Sequence, residues 1–180
     1  MPLPAGYRIV PATAQMVDQL PAIERAAAAL FPREDLPAAL AEDAFAVDTF
    51  AAAARDGRLW AALDASHQPV GFALVWMTDG QPHLEELDVL PEHARRGIGR
   101  ALIETVVDWA QGHGYRTLTL VTFRHIAWNA PFYRRPGFED LPADEEGTEL
   151  RRLREMEAAS GLDPSKRVAM RLDLTRGGSR

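Results

Sequence analysis

Residues 83–102, HLEELDVLPEHARRGIGRAL, constrain the fold more than any other stretch. Up to Val89 the run is strand-like, and Pro91 closes it. From Ile98 the period becomes helical, with Ile98, Leu102, Val106 and Trp109 on one face until Gly112 and Gly114 end the helix. Tyr115 to Phe123 then alternates as a further strand. A strand, helix, strand run of this length demands a right-handed crossover, which lays the flanking strands parallel.

The flanking sequence supplies further elements. Tyr7–Val10 reads as a short strand, and Ala14–Leu30 carries apolar residues at helical spacing. FPREDLP breaks that pattern, and an alanine-rich helix is expected from Ala38 to Ala54, stopped by Gly57. RLWAALDA and VGFALVWMT, joined by Ser66 to Pro69, read as a hairpin. A third strand, His83 to Val89, follows a break at Gly80–Pro82. Further on, an acidic segment contains a helix from Thr148 to Ala159 with Gly161 as its stop, suited to a lid, a spacer or a homodimer contact. KRVAMRLDL returns as a last strand, and TRGGSR reads as a loose tail over 175–180. With 180 residues and neither repeat nor linker, one domain over 1–180 is expected.

Composition excludes several classes of function. No apolar run reaches the 18 residues of a membrane span, and the start MPLPAGYRIV lacks a basic, apolar leader, so a cytoplasmic location is expected. There is no cysteine, hence no disulfide framework and no thiolate chemistry, and the five histidines show no metal-ligand spacing. A net charge of -6 disfavours nucleic acid and anionic membranes, and leans toward a cationic partner.

The stretch RRGIGR sits where a strand hands the chain to a helix, so the backbone N–H groups of about Arg96 to Arg100, Ile98 included, have no helical carbonyl to bind. With the positive end of the helix dipole behind them, and glycine at 97 and 99 to admit a close approach, these donors suit a diphosphate. Arg95, Arg96 and Arg100 are candidates to pair with its oxygens. No Gly-Lys-Ser/Thr follows, as an ATPase phosphate loop requires, and Leu102 stands where a dinucleotide fingerprint needs its third glycine.

Two motifs carry a resemblance to a known family. LDVLPEHARRGIGRALI is similar to the pyrophosphate loop of the GNAT superfamily of acyl-CoA-dependent N-acetyltransferases, with Val89 eight residues before Gly97. WNAPFYRRPGF is similar to that family's short helix and turn, with a polar residue, then Tyr133, then Gly137-Phe138. Two positions depart from the pattern: Ala94 replaces the usual Arg or Gln, and Ile126 replaces a frequent Asn, which leaves Asn129, at the N-cap of a helix entered through Pro131, for the polar role.

The resemblance implies an α+β fold whose mixed, mostly antiparallel sheet contains a splayed parallel strand pair and is flanked by helices. It implies acetyl-CoA as cosubstrate, no metal, and a small-molecule amine as acceptor. Main chain near Leu87, Asp88 and Val89 would bind pantetheine, and an amide there would face the thioester carbonyl. Amine acetylation then needs a base, because an alkylamine with a pKa of roughly 10.4 is protonated at neutral pH. Strand alternation puts His83 and Glu85 on the face of Leu87 and Val89, so Glu85 is the first candidate and His83 the second, with Glu86 promoted if a bulge swaps the faces. Tyr133 matches the family's proton donor to the leaving thiolate. The acceptor pocket falls to the first helices and FPREDLP, where Glu34 and Asp35 favour a cationic amine. The alternative is a catalytically silent acyl-CoA-binding sensor of the same fold.

Overall fold

The computed structural model describes residues 3–175; residues 176–180 of the expected loose tail lie outside the described part. Seven strands are hydrogen-bonded in the order β1 (Arg8–Pro11), β2 (Leu59–Leu63), β3 (Pro69–Thr78), β4 (Gln81–Val89), β5 (Thr117–Phe123), β7 (Arg167–Asp173) and β6 (Glu139–Asp140). β4 and β5 are parallel, with His83 opposite Thr119, whereas β1 with β2, β2 with β3, β5 with β7 and β6 with β7 are antiparallel. The helices are α1 (Leu20–Ala28), α2 (Ala38–Glu42), α3 (Val47–Arg55), α4 (Ile98–Gly112), α5 (Ala130–Tyr133) and α6 (Thr148–Ala159). The expected α+β sheet with its parallel pair and flanking helices is therefore present. No helix among the described residues is long and apolar enough to cross a membrane.

Two compact units can be distinguished: one formed by the chain through Trp76 with Glu85–Val106, the other by Met77–Leu84 with the chain from Val107 on. In the first, Leu20 and Ile23 of α1, Phe50 and Ala53 of α3, Leu59, Ala61 and Leu63 of β2, and Phe72 and Leu74 of β3 form one buried cluster. The strand residues recur at every second position and the α1 pair shares one helical face, which is why both periods were visible in the sequence. Phe50 is at its centre, edge-on to Phe72 at 5.2 Å between centroids, and its burial contributes about 1.5–3 kcal/mol.

The single helix expected over Ala38–Ala54 is instead two, α2 and α3, separated by an extended break at Asp43. No glycine or proline marks that break. Its cause is tertiary: the Phe45 N–H turns to the carboxylate of Glu24 on α1, at 3.0 and 3.3 Å. Phe45 then packs edge-on to Phe50 and Trp76. The first helix is likewise shorter than expected, starting at Leu20 after a short 3₁₀ turn.

In the second unit, Leu150 of α6 packs with Leu141, Ala169 and Val121 over β5 and β7. The N-terminus of α6 is capped from a distance. Asp79 accepts from the Glu149 and Leu150 amides at 3.0 Å each, while its own N–H donates to the Glu149 carboxylate. Asp79 and Gly80, with φ of 52° and 72°, form the tight turn that joins β3 to β4, so Pro82 lies inside β4 rather than in the expected break. The Asp79 carboxylate fills the place of a side chain at Gly147, where an added Cβ would collide with it. Asp79→Ala and Gly147→Ala should each cost about 1–2 kcal/mol in urea unfolding, because each removes the same cap. The double variant should cost little more than either single one; full additivity would mean that the two changes act separately.

Candidate active site

In the first unit, β4 leads through a 3₁₀ turn at Pro91–His93 into the loop ahead of α4. Arg95 and Gly97 both have positive φ, 59° and 83°, so the backbone is left-handed at alternate residues of this loop. A Cβ at Gly97 would meet nothing within 4 Å, so its glycine is required by backbone angle and leaves open space at the loop. The first helical bond runs from the Ala101 N–H to the Gly97 carbonyl at 3.0 Å, which places the amides of Ile98, Gly99 and Arg100 ahead of the helical ladder.

The three loop arginines differ. Arg96 donates to the Tyr7 hydroxyl at 3.2 Å and the Glu92 carbonyl at 3.1 Å, and Tyr7 is hydrogen-bonded to His93 Nδ1 at 2.8 Å. That set ties the loop to the segment before β1. Arg100 pairs with Glu104 one turn along, at 2.8 Å. Arg95 makes no ion pair or side-chain hydrogen bond among the described residues.

On β4, Glu85, Glu86, Leu87, Asp88 and Val89 are half-buried. The carboxyl of Asp88 lies near Glu24 of α1, and its pKa is raised by burial and then by Glu24's charge. Glu24 is itself buried, and burial pushes its carboxyl from 4.5 up to about 7, against the Phe45 amide that favours the charged form. The sequence reading missed Glu24, although the signal was present: it falls on the apolar stripe of α1 with Leu20, Ile23 and Ala27.

In the second unit, His83 is 1% exposed and shares a hydrogen bond of 2.8 Å with the Thr119 hydroxyl. Burial first, and then the charge of Arg167, push its pKa down to about 4, so it is neutral at physiological pH. Arg167 is held by Glu157 of α6, at 2.6 Å from Nη2 and 3.3 Å from Nε, and lies over the Phe123 ring at 4.6 Å. Tyr133 is the last residue of α5, 8% exposed, and edge-on to Phe132 and Phe138 at 5.2 and 5.8 Å. The turn behind it uses Gly137 at φ 107°, whose added Cβ would press on Leu172 at 3.3 Å.

Asn129 is at the N-cap position of α5, as expected, but its side chain caps nothing. Its Nδ2 bonds the Trp128 carbonyl at 3.4 Å, and its Oδ1 is buried without a partner. A buried acceptor without a donor is costly, and a ligand N–H is one remedy. Trp128 beside it is 50% exposed.

Residues 20–138 match the acetyltransferase (GNAT) family. The chain is 30% identical over 149 residues to a mycothiol acetyltransferase of Clavibacter michiganensis subsp. michiganensis, covering 79% of this chain and 46% of that protein. It thus spans about half the length of that relative. Among solved structures, the PaiA N-acetyltransferase of Thermoplasma acidophilum in complex with coenzyme A superposes with a TM-score of 0.66 at 15% identity, over 93% of this chain and 98% of that one. The ribosomal-protein-S18-alanine N-acetyltransferase of Escherichia coli gives 0.65 at 20% identity, over 97% of both chains. These two likenesses concern the fold. The match over residues 20–138 spans more than half of the sequence, and the chain belongs to the GNAT acetyltransferase family.

Proposed function

We propose that this protein transfers an acetyl group from acetyl-CoA to the primary amine of a small cationic molecule, by direct attack in a ternary complex. The observation that carries the reading is the loop ahead of α4, with Arg95 and Gly97 left-handed and three amides beyond the helical ladder. The residues present fit coenzyme A. The loop amides and Arg95 are suited to its diphosphate, the orphaned Asn129 Oδ1 to an amide N–H of pantetheine, and the main chain of Leu87, Asp88 and Val89 to the rest of that arm. Acetyl-CoA supplies the activated thioester when bound.

The chain's own residues are assigned two proton tasks. Glu85 takes the proton of the acceptor ammonium, directly or through water, and Tyr133 donates one to the departing thiolate. His83 suits the base role less well: it is sealed from solvent and, at a pKa of about 4, a weak proton acceptor at neutral pH. The net charge of -6 supports a cationic acceptor.

Titration calorimetry with coenzyme A and acetyl-CoA on folded protein tests the reading, and no uptake of either overturns it. Ala94, in place of the family's usual Arg or Gln, favours a second reading, a silent acyl-CoA-binding module. A thiol-reactive dye separates the two, since only an enzyme releases coenzyme A faster when an amine is added. Tyr133→Phe should lower that turnover at least about tenfold with little change in acetyl-CoA affinity. Unchanged turnover would remove Tyr133 from the mechanism.

A further inference from the structure

A cavity of about 270 Å³ beside α6 has no part in the roles assigned above. One wall is a single stripe of the helix: Arg151, Arg154, Glu155 and Ala158, at i, i+3, i+4 and i+7. Leu162 and Pro164, in the connection to β7, add an apolar surface.

Charge pairing divides the polar groups of this cavity into two sets. Arg154 is ion-paired with Glu146, which is 5% exposed, and Arg167 is ion-paired with Glu157. Those four belong to the framework. Arg151 and Glu155 are different, because neither side chain has a hydrogen bond or ion pair among the described residues, although they stand one turn apart. Their order, cation before anion, is the one in which a helical pair gains least from direct contact. This open cavity therefore presents a solvent-exposed guanidinium and a solvent-exposed carboxylate, neither committed to a protein partner among the described residues, beside an apolar surface.

The occupant's charge follows from the lining, which holds three arginines and three glutamates and so has no net charge. A phosphate or dicarboxylate would meet Arg151 but set its excess charge beside the uncommitted carboxylate of Glu155. A diamine would meet Glu155 but set its excess charge beside the uncommitted guanidinium of Arg151. A zwitterion satisfies both uncommitted groups without excess of either sign. A guanidinium fork grips a carboxylate through two parallel N–H bonds, and a carboxylate takes an ammonium. We propose that this cavity binds a free α-amino acid with an aliphatic side chain: its carboxylate on Arg151, its ammonium on Glu155 and its hydrocarbon against Leu162 and Pro164.

The test uses the full chain, with L-leucine as the probe, followed by calorimetry and by amide shifts in NMR. Isovalerate and isopentylamine present the carboxylate and the ammonium of leucine separately. Leucine is expected to bind saturably, shifting amides of α6, and each half is expected to bind at least about tenfold more weakly. Arg151→Gln and Glu155→Gln should each weaken leucine at least about tenfold, while acetyl-CoA uptake, measured on the same samples, stays unchanged. Exchanging the two charges, Arg151→Glu with Glu155→Arg, should recover most of the affinity, an outcome that a merely structural role does not produce. No saturation by about 10 mM leucine, equal affinity for the halves, or leucine uptake indifferent to both single variants overturns the proposal. The last outcome would place leucine elsewhere on the protein. None of these results depends on whether the chain transfers acetyl groups.

Discussion

Glu85→Gln is expected to lower amine-dependent release of coenzyme A at least about a hundredfold at pH 7, the scale of a positioned general base. The reason is the proton inventory of the acceptor. An alkylamine with a pKa of roughly 10.4 is less than about one part in a thousand free base at pH 7, so an enzyme without a proton acceptor must wait for that fraction. The variant should therefore recover with alkali, about tenfold per pH unit until the amine titrates, while the unaltered protein changes less over the same range. Acetyl-CoA affinity should hold, because the loop ahead of α4 is untouched. Glu86→Gln and His83→Asn serve as comparisons and should each lose less than about tenfold. If Glu86→Gln shows the hundredfold loss instead, the base belongs to the neighbouring carboxylate. If none of the three changes the slope with pH, proton removal is not performed from β4.

What the sequence disclosed, and what it hid, divides along the range of the interactions involved. The run from β4 through α4 to β5 was legible because the period of its apolar residues changes at a proline and a glycine pair, both local signals. The bounds of α6 were legible for the same reason, with Gly147 before it and Gly161 after it. The break between α2 and α3 was not, because AALAEDAFAVDTFAAAAR contains no breaker and the chain is bent by a bond to Glu24 on another helix. The same long range hid the Asp79 cap, 70 residues from the amide it serves. Asn129 shows the limit most plainly. Its spacing placed it at a helix cap, where its backbone is, but the position cannot reveal that its side chain declines the cap and leaves a buried oxygen unpaired. His83 read as the second candidate base, and only packing shows it sealed and neutral.

Glu24→Gln should make the protein more stable at pH 8 and leave it nearly unchanged at pH 4.5. The carboxyl of Glu24 has a folded pKa of about 7 against 4.5 for the ordinary group, raised first by burial. Between those values the folded chain keeps a proton that the unfolded chain releases, so this residue's contribution to stability falls as pH rises from 4.5 through 7 and stays low above it. At about 1.4 kcal/mol per pH unit, the full loss is roughly 3 kcal/mol. Glutamine resembles the protonated acid, retains an oxygen for the Phe45 amide and carries no charge to repel Asp88. Its urea midpoint should therefore stand well above that of the unaltered protein at pH 8, with the gap closing toward pH 4.5. His83 acts with the opposite sign. Its folded pKa of about 4 lies below the usual 6.5, so its contribution is present above 6.5 and is lost as pH falls through 4. Over the range the two share, one slope offsets much of the other, and removing Glu24 should expose an acid-side loss of stability that the unaltered protein masks. A gap between variant and parent that stays constant from pH 4.5 to pH 8 would mean that the Glu24 carboxyl is not desolvated.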